Sequence, residues 1–475
     1  MKTLHGTNPS GGAPITRRDF LAATALGAAV SPLAGPIGAS TLARGALASP
    51  HPIASPRRRP LSTLRVGLVG CGGRGAGAAI QALGADPDAV LWAVAEAVPD
   101  RLDGGLARLE AALRDRDDDA GDESFSRRLD VPRQRRFVGL ESHRELLESG
   151  VDVVLLCTPP VFRPRQLADA VEAGKHVFCE KPVAIDGPGV RSALASARLA
   201  KEQGLALVSG FCWRYSARER ETYGRIHDGA IGDLVAVYTT YNATGWIEPR
   251  PRRPEWSDME FQLRNWHYFN FISGDHIVEQ AVHAIDKIHW AFNDIRSAGD
   301  GAPSRLPLRV VAVGGRQTRP ALPETGNVFD HFALAYEYDG GVRAFHMCRH
   351  WPNSPSDNSD FLMGTLGTAT INGWTDTHVI TGPNAWRSSS PRNDMYQQEH
   401  DDLFASIRSG APINDGVAMA ESTLMAVMGR MAAYTGQAVT WEQALGSRED
   451  LLPPRWEWGD RPVPPVAVPG TTPLI

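Results

Sequence analysis

Short apolar runs separated by amphipathic stretches fill residues 63–212. Residues 66–69, 89–95 (AVLWAVA) and 151–157 (VDVVLLC) lack the alternation of a half-exposed strand. Unbroken apolar runs of this length predict strands covered on both faces. Residues 137–138, 176–179 and 205–210 predict three more strands, and 102–116 a charged helix, followed by an acidic stretch (DRDDDAGDES) that reads as a solvated loop. Alternation of this kind predicts a parallel, doubly wound α/β sheet with its ligand beyond the C-terminal strand ends.

The pattern changes after residue 212. Eleven of the twelve tryptophans lie at or beyond Trp213, and the apolar positions begin to alternate. Residues 330–338 (DHFALAYEY), the turn Asp339-Gly340-Gly341 and residues 342–348 have the signature of an antiparallel hairpin. With residues 233–241 and 308–313 they predict an open, mainly antiparallel sheet, one face covered by helices near 272–293, 396–409 and 416–435. The expected fold is therefore an N-terminal Rossmann domain, residues 63–212, and a C-terminal α/β domain, 213–452. A Pro- and Trp-rich tail, 453–475, is expected along the surface or a partner subunit.

The first strand runs into Gly70, Gly72 and Gly75, which satisfy G-x-G-x-x-G at a strand-to-helix turn. Gly70 suits the tight turn, Gly72 the close approach of a pyrophosphate, and Gly75 helix-on-strand packing. Glu96 closes the second strand about 20 residues on, where a ribose-binding acid is expected. Its carboxylate favours NAD and repels a 2′-phosphate, although Arg101 nearby leaves NADP open. Gly73 and Arg74 in the turn, Thr158 and Pro159 after the fourth strand, and Glu180 and Lys181 after the fifth complete the candidate cofactor-binding residues.

Composition narrows the partners. The chain has 475 residues, 22% charged, with a formal net charge of −5 and no long basic run in its body, which argues against nucleic acid. Residues 1–48 differ in kind: Thr16-Arg17-Arg18-Asp19-Phe20-Leu21, an apolar run and Ala46-Leu47-Ala48 resemble a twin-arginine export signal. A Pro/Arg-rich linker, 49–62, follows. The expectation is a protein exported folded by the twin-arginine machinery to the periplasm or an equivalent compartment, with no membrane span in its mature form. Since NAD is scarce outside the cell, the cofactor is expected to be tightly bound and recycled in place. Cys71, Cys157, Cys179, Cys212 and Cys348 are odd in number and lack zinc spacing, so neither a disulfide nor a metal is expected.

Two groups of residues carry candidate chemistry. Lys181, at a strand end beside a nicotinamide, suits hydrogen bonding to a substrate hydroxyl and stabilising alkoxide character. In SGDHIVEQAVHAID, with Asp275 as N-cap, Glu279, His283 and Asp286 share one helical face. His283 is then a candidate acid/base oriented by Glu279, and a buried polar network is the alternative. His276, Glu279 and His283 do not have the H-E-x-x-H spacing of a metal site.

The glycine turn, EKP about 110 residues later, and the acid-x-x-x-His-x-x-Asp helix resemble the Gfo/Idh/MocA oxidoreductases. The likeness spans roughly residues 63–445, including Gly229-Ala230-Ile231-Gly232 and AAYTGQAVTW. It implies sugar, cyclitol or related polyol substrates, a homodimer or homotetramer formed through the open sheet, and catalytic roles for Lys181, His283 and Glu279. Glu279 stands where many members have Asp, and Arg163 where many have His. Arg163 is a candidate contact to the substrate or to the nicotinamide ribose, or to neither; Trp246, Trp266 and Asp286 are candidate substrate contacts, with Trp256, Asn242, Arg264 and Asn265 in the same aromatic wall. The expected activity is hydride transfer between bound NAD(P) and a ring hydroxyl or ketone. Redox-neutral glycoside cleavage by oxidation, elimination and reduction is the alternative, and a non-catalytic sugar-binding relative is the second.

Overall fold

Six parallel strands form the N-terminal sheet in the order β3-β2-β1-β4-β5-β6, in a computed structural model that describes residues 63–294, 303–320, 323–453 and 455–475. The export signal and linker lie outside the described residues. The strands are β1 (Leu64–Val69), β2 (Ala89–Glu96), β3 (Arg136–Val138), β4 (Val153–Leu156), β5 (His176–Cys179) and β6 (Leu207–Ser209). Val153 to Leu156 are all buried, as an unbroken apolar run requires when helices cover both faces. Strand order reverses between β1 and β4, and the crevice at such a switch point receives the ligand of a doubly wound sheet.

The second sheet has nine strands: β7 (Leu234–Thr244), β8 (Arg309–Gly315), β9 (His331–Glu337), β10 (Arg343–Trp351), β11 (Asp360–Gly364), β12 (Thr368–Asn372), β13 (Thr377–Thr381), β14 (Trp386–Arg387) and β15 (Val439–Thr440). The expected hairpin is β9–β10, and β7 pairs β10 in parallel within an otherwise antiparallel sheet. Alternate residues of β9 face inward, where Leu334 and Tyr336 meet the helix Gly416–Thr435 and Tyr336 donates to the Met425 carbonyl at 3.1 Å. That helix is buried on nearly every side, because its other face meets the Rossmann domain. There Arg430 donates to the Ile185 carbonyl at 2.7 Å, and the Val183 N–H to Thr423 Oγ1 at 3.1 Å.

Three expectations are corrected, and the two placements offered for the tail are narrowed to one. The helix Pro99–Ala120 takes in most of the stretch read as a loop, because Leu102, Leu106, Leu109, Leu113 and Asp117 continue one buried stripe until Gly121, with φ +76°, ends it. The helix expected over 272–293 is three pieces, Asn270–Ser273, His276–Glu279 and Val282–Phe292. The helix Met395–Ser409 follows the second sheet in sequence but packs on the first domain: Leu403 and Phe404 enter the core of β1 and β2, and Arg408 pairs with Asp86 at 2.6 Å. The tail lies along its own chain, with Trp456 against Phe162 at 4.5 Å and the Thr435 carbonyl accepting from the Gly470 N–H.

Candidate active site

Between the domains lies a cavity of about 640 Å³, entered from the C-terminal ends of β1, β2, β4 and β5. Its Rossmann wall begins with the glycine turn. Gly70 has φ +97°, and a Cβ there lies 2.8 Å from the Cys157 carbonyl, so only glycine fits. A Cβ on Gly75 collides with the Gly70 carbonyl oxygen, the close helix packing read from sequence. Gly72 meets no protein atom within 4 Å and lines the cavity, leaving room for a ligand. The helix Gly73–Ala85 starts there with no side-chain cap, its first N–H groups left for an anion. Glu96 accepts from the Cys71 and Ala97 N–H groups at 2.8 and 2.7 Å and faces the same space. Open turn, uncapped helix and acid together fit a dinucleotide.

Arg74 and Glu180 line the cavity but are bound chiefly to each other. The Arg74 guanidinium donates to Glu180 and to Glu399, the latter from the helix Met395–Ser409. Burial opposes ionisation of Glu180, but Arg74, Lys181 and Arg163 hold its pKa below the usual range, whereas burial drives Glu399 well above it. Glu180 Oε2 also accepts from the Lys181 N–H at 3.0 Å and so fixes the backbone that carries the lysine. Thr158 and Pro159 line the wall, with Thr158 Oγ1 donating to Gln166 at 2.6 Å. Arg163 also lines it and ties two loops together by donating to the Pro182 carbonyl at 2.6 Å and to that of Thr158.

Lys181 and Glu279 meet where the two domains face each other. Lys181 Nζ donates to the Glu279 carbonyl at 3.1 Å, and Glu279 Oε2 is buried without a hydrogen-bond partner. Burial lowers Lys181 to about 8, against the pull of Glu180 and Glu279. It raises Glu279 to about 8, against Lys181 and Arg319. Both groups are therefore poised to exchange protons near neutral pH.

His283 is not on this wall. The helix breaks at Gln280 (φ −126°, ψ −58°), whose amide oxygen accepts from His350 on β10, so the i, i+4 face shared by Glu279 and His283 does not form. His283 borders a separate void of about 10 Å³ that shares Tyr241 and Asn358 with the main cavity. Its Nε2 lies 3.7 Å from Cys212 Sγ, and burial drives its pKa well below the ordinary value, keeping it neutral. Asp286, expected on substrate, is buried beneath Arg214, accepting three hydrogen bonds of 2.7–3.1 Å, and beneath Ser422. It is an internal ion pair.

The aromatic wall divides in two. Trp246 and Trp266 line the cavity together with Asn242. Trp256 lies under the Arg264 and Arg253 guanidiniums at 4.6 and 5.1 Å, Arg264 pairs with Asp100, and Asn265 holds the Arg250 backbone. The sequence reading missed Gln280, His267, Arg319 and His350 on the same cavity. No local signal marks them, since Arg319 and His350 come to the wall only through pairing of the second sheet. All five cysteines are free, and among the described residues no His/Cys/Asp/Glu group has the geometry of a metal site.

Residues 64–211 match the Gfo/Idh/MocA model of an oxidoreductase family with an NAD-binding Rossmann fold. A 2,7-anhydro-N-acetylneuraminate hydratase of Escherichia coli is 24% identical over 51% of this chain and 57% of its own. The chain thus spans little more than half of that relative. A trans-1,2-dihydrobenzene-1,2-diol dehydrogenase of Mus musculus is 24% identical over 64% of this chain and 82% of its own. Among solved structures, a levoglucosan dehydrogenase in complex with NADH and levoglucosan matches with a TM-score of 0.59 at 20% identity, covering 80% of this chain and 99% of that one. An aldose-aldose oxidoreductase from Caulobacter crescentus matches at 0.57 and 19%, with the same coverage. At these identities the structures establish a shared fold. Residues 64–211 are thus similar to the NAD-binding Rossmann domain of the Gfo/Idh/MocA oxidoreductases.

Proposed function

We propose that this oxidoreductase moves hydride between a tightly held NAD and a ring CH–OH or ketone of a sugar, cyclitol or glycoside. The observation that carries the reading is the meeting of Lys181 and Glu279 on a cavity that begins at the glycine turn. The cofactor supplies hydride acceptance and donation. Lys181, neutral in a fraction of molecules near pH 8, takes the hydroxyl proton as carbonyl character develops. Glu279 holds or releases a proton beside it, and Trp246 and Trp266 offer flat faces to sugar C–H groups. Arg163 keeps the Thr158 and Pro182 loops in register around the reacting atoms. His283 acts on this site only past Tyr241 and Asn358, as a positioning group. Glu96 favours NAD, with Arg101 on the same wall leaving NADP within reach.

The test is hydride transfer in the Lys181→Ala protein. Reduction of bound nicotinamide by a sugar should fall steeply while nucleotide content is kept, and unchanged transfer removes Lys181 from the reaction. The similarity to a hydratase favours a second reading, in which oxidation, elimination and reduction return the cofactor to its starting state. Product release without net nicotinamide reduction identifies that case. The retained Lys181 and Glu279 argue against a merely sugar-binding protein.

Residues 1–48 support export by the twin-arginine route to the periplasm or an equivalent compartment. Changing Arg17 and Arg18 to Lys should hold the protein in the cytoplasm, and export that ignores the change refutes the assignment. The exposed apolar side chains of the second sheet, among them Val313, Phe345 and Met347, support a homodimer or homotetramer, to be read by light scattering.

A further inference from the structure

The Arg319 guanidinium stands in the cavity wall and, among the described residues, forms no ion pair, while the backbone N–H of Arg319 donates to the Asp330 carboxylate at 3.0 Å. Arg319 follows β8, is only 6% exposed, and lies over the rings of Trp246 and Tyr268 at 5.6 and 5.1 Å. One terminal nitrogen approaches His350 Nδ1 at 3.0 Å, and its Nε has no hydrogen-bond partner. Two other cations on the wall likewise form no ion pair, although both feel the charge of Glu180, which Arg74 holds. Arg163 donates to the carbonyls of Pro182 and Thr158, with its Nε unpartnered, and Lys181 donates to the Glu279 carbonyl.

Among the described residues, none of the three forms an ion pair, whereas Arg74 is matched by Glu180 and Glu399. Glu279, whose charge both Lys181 and Arg319 favour, is driven by burial toward its neutral form. Buried cations without a counter-ion are costly, and an anionic ligand removes that cost. The cofactor's phosphates have their own cradle, the glycine turn of the Rossmann domain. Arg319, Trp246, Tyr268 and His350 all belong to the other domain, on the side left for substrate.

We propose that the substrate is an acidic sugar whose carboxylate docks on Arg319 while its ring lies against Trp246. A planar guanidinium held over two aromatic rings presents a fixed edge, which suits the paired N–H···O bonds of a carboxylate. The inference deepens the oxidoreductase reading and rests on it for the sugar itself.

Full-length protein loaded with NAD is titrated calorimetrically with glucuronate and galacturonate, their methyl esters, the matching hexoses and the matching hexose 6-phosphates, and nicotinamide absorbance is followed in parallel. The acids should bind roughly tenfold or more tightly than the esters and hexoses. Arg319→Gln should abolish that preference with NAD content unchanged. Equal binding of acid and ester overturns the proposal, as does tighter binding of a hexose phosphate than of any uronate. If the variant does not fold, the acid-to-ester comparison in the natural protein decides alone. A preference for acids that Arg319→Gln removes, with nicotinamide silent toward every sugar, upholds the anion site and defeats the oxidoreductase reading. Nicotinamide reduction by neutral hexoses with no preference for acids does the reverse.

Discussion

Lys181 Nζ hydrogen-bonds the carbonyl oxygen of Glu279 at 3.1 Å and so joins the end of β5 to the short helix His276–Glu279. The bond crosses from the Rossmann domain to the second domain. Any rigid-body shift between the domains therefore changes the position of the ammonium group, the proton acceptor of the proposed mechanism.

The placement of Lys181 and His283 predicts unequal losses. Lys181→Ala should lower kcat by about 10²–10⁴-fold, the range for a proton-transfer group, with little change in KM. His283→Ala, behind Tyr241 and Asn358, should cost less than about tenfold. Steady-state kinetics with a reactive sugar checks both, and a reversed order shows that His283 reaches the substrate directly.

Lys181 and Glu279 also predict a pH signature. The folded Glu279 carboxyl titrates near 8 instead of 4.5, so between those values the folded chain holds a proton that the unfolded chain has lost. Its contribution to stability is complete below 4.5 and is lost as pH rises through 8. Lys181, lowered from 10.5 to about 8, contributes fully above 10.5 and loses that contribution as pH falls through 8. Thermal unfolding of Glu279→Gln should therefore gain on the natural protein as pH is raised from about 5 to about 8. Parallel curves contradict the buried, protonated carboxyl. The rate of sugar oxidation should rise with an apparent pKa near 8 that belongs to the pair.

Two glycines of one turn should fail in different ways. Gly70→Ala forces a side chain into φ +97° and against Cys157, at a cost of about 1–3 kcal/mol in stability. Gly72→Ala meets nothing within the protein, so the nucleotide-free form should unfold within about 0.5 kcal/mol of the natural chain. Its bound nucleotide, measured after denaturation, should nevertheless fall.

Asp286→Asn tests an internal ion pair against a substrate contact. Leaving Arg214 buried and unmatched should cost about 3–5 kcal/mol. The KM of whatever folds should be unchanged. A raised KM with unchanged stability restores Asp286 to the substrate.

The parts of the fold written in local patterns were legible in the sequence. The glycine turn, the covered strands, Glu96, Lys181 and the β9–β10 hairpin each follow from residues adjacent in the chain. The break at Gln280 was not legible, because HIVEQAVHAID satisfies helical spacing throughout and its partner His350 lies 70 residues away. Glu399 and Arg319 were hidden for the same reason. One acquires its role from a helix that returns to the first domain, the other from a loop carried by the second sheet.

The most direct test is to purify the folded protein without added nucleotide, denature part of it to identify what is released, and follow nicotinamide absorbance in the rest as sugars are added. The account predicts near-stoichiometric NAD and its reduction by a sugar. A protein that carries no nucleotide, binds none when supplied, and shows no absorbance change with any sugar contradicts it.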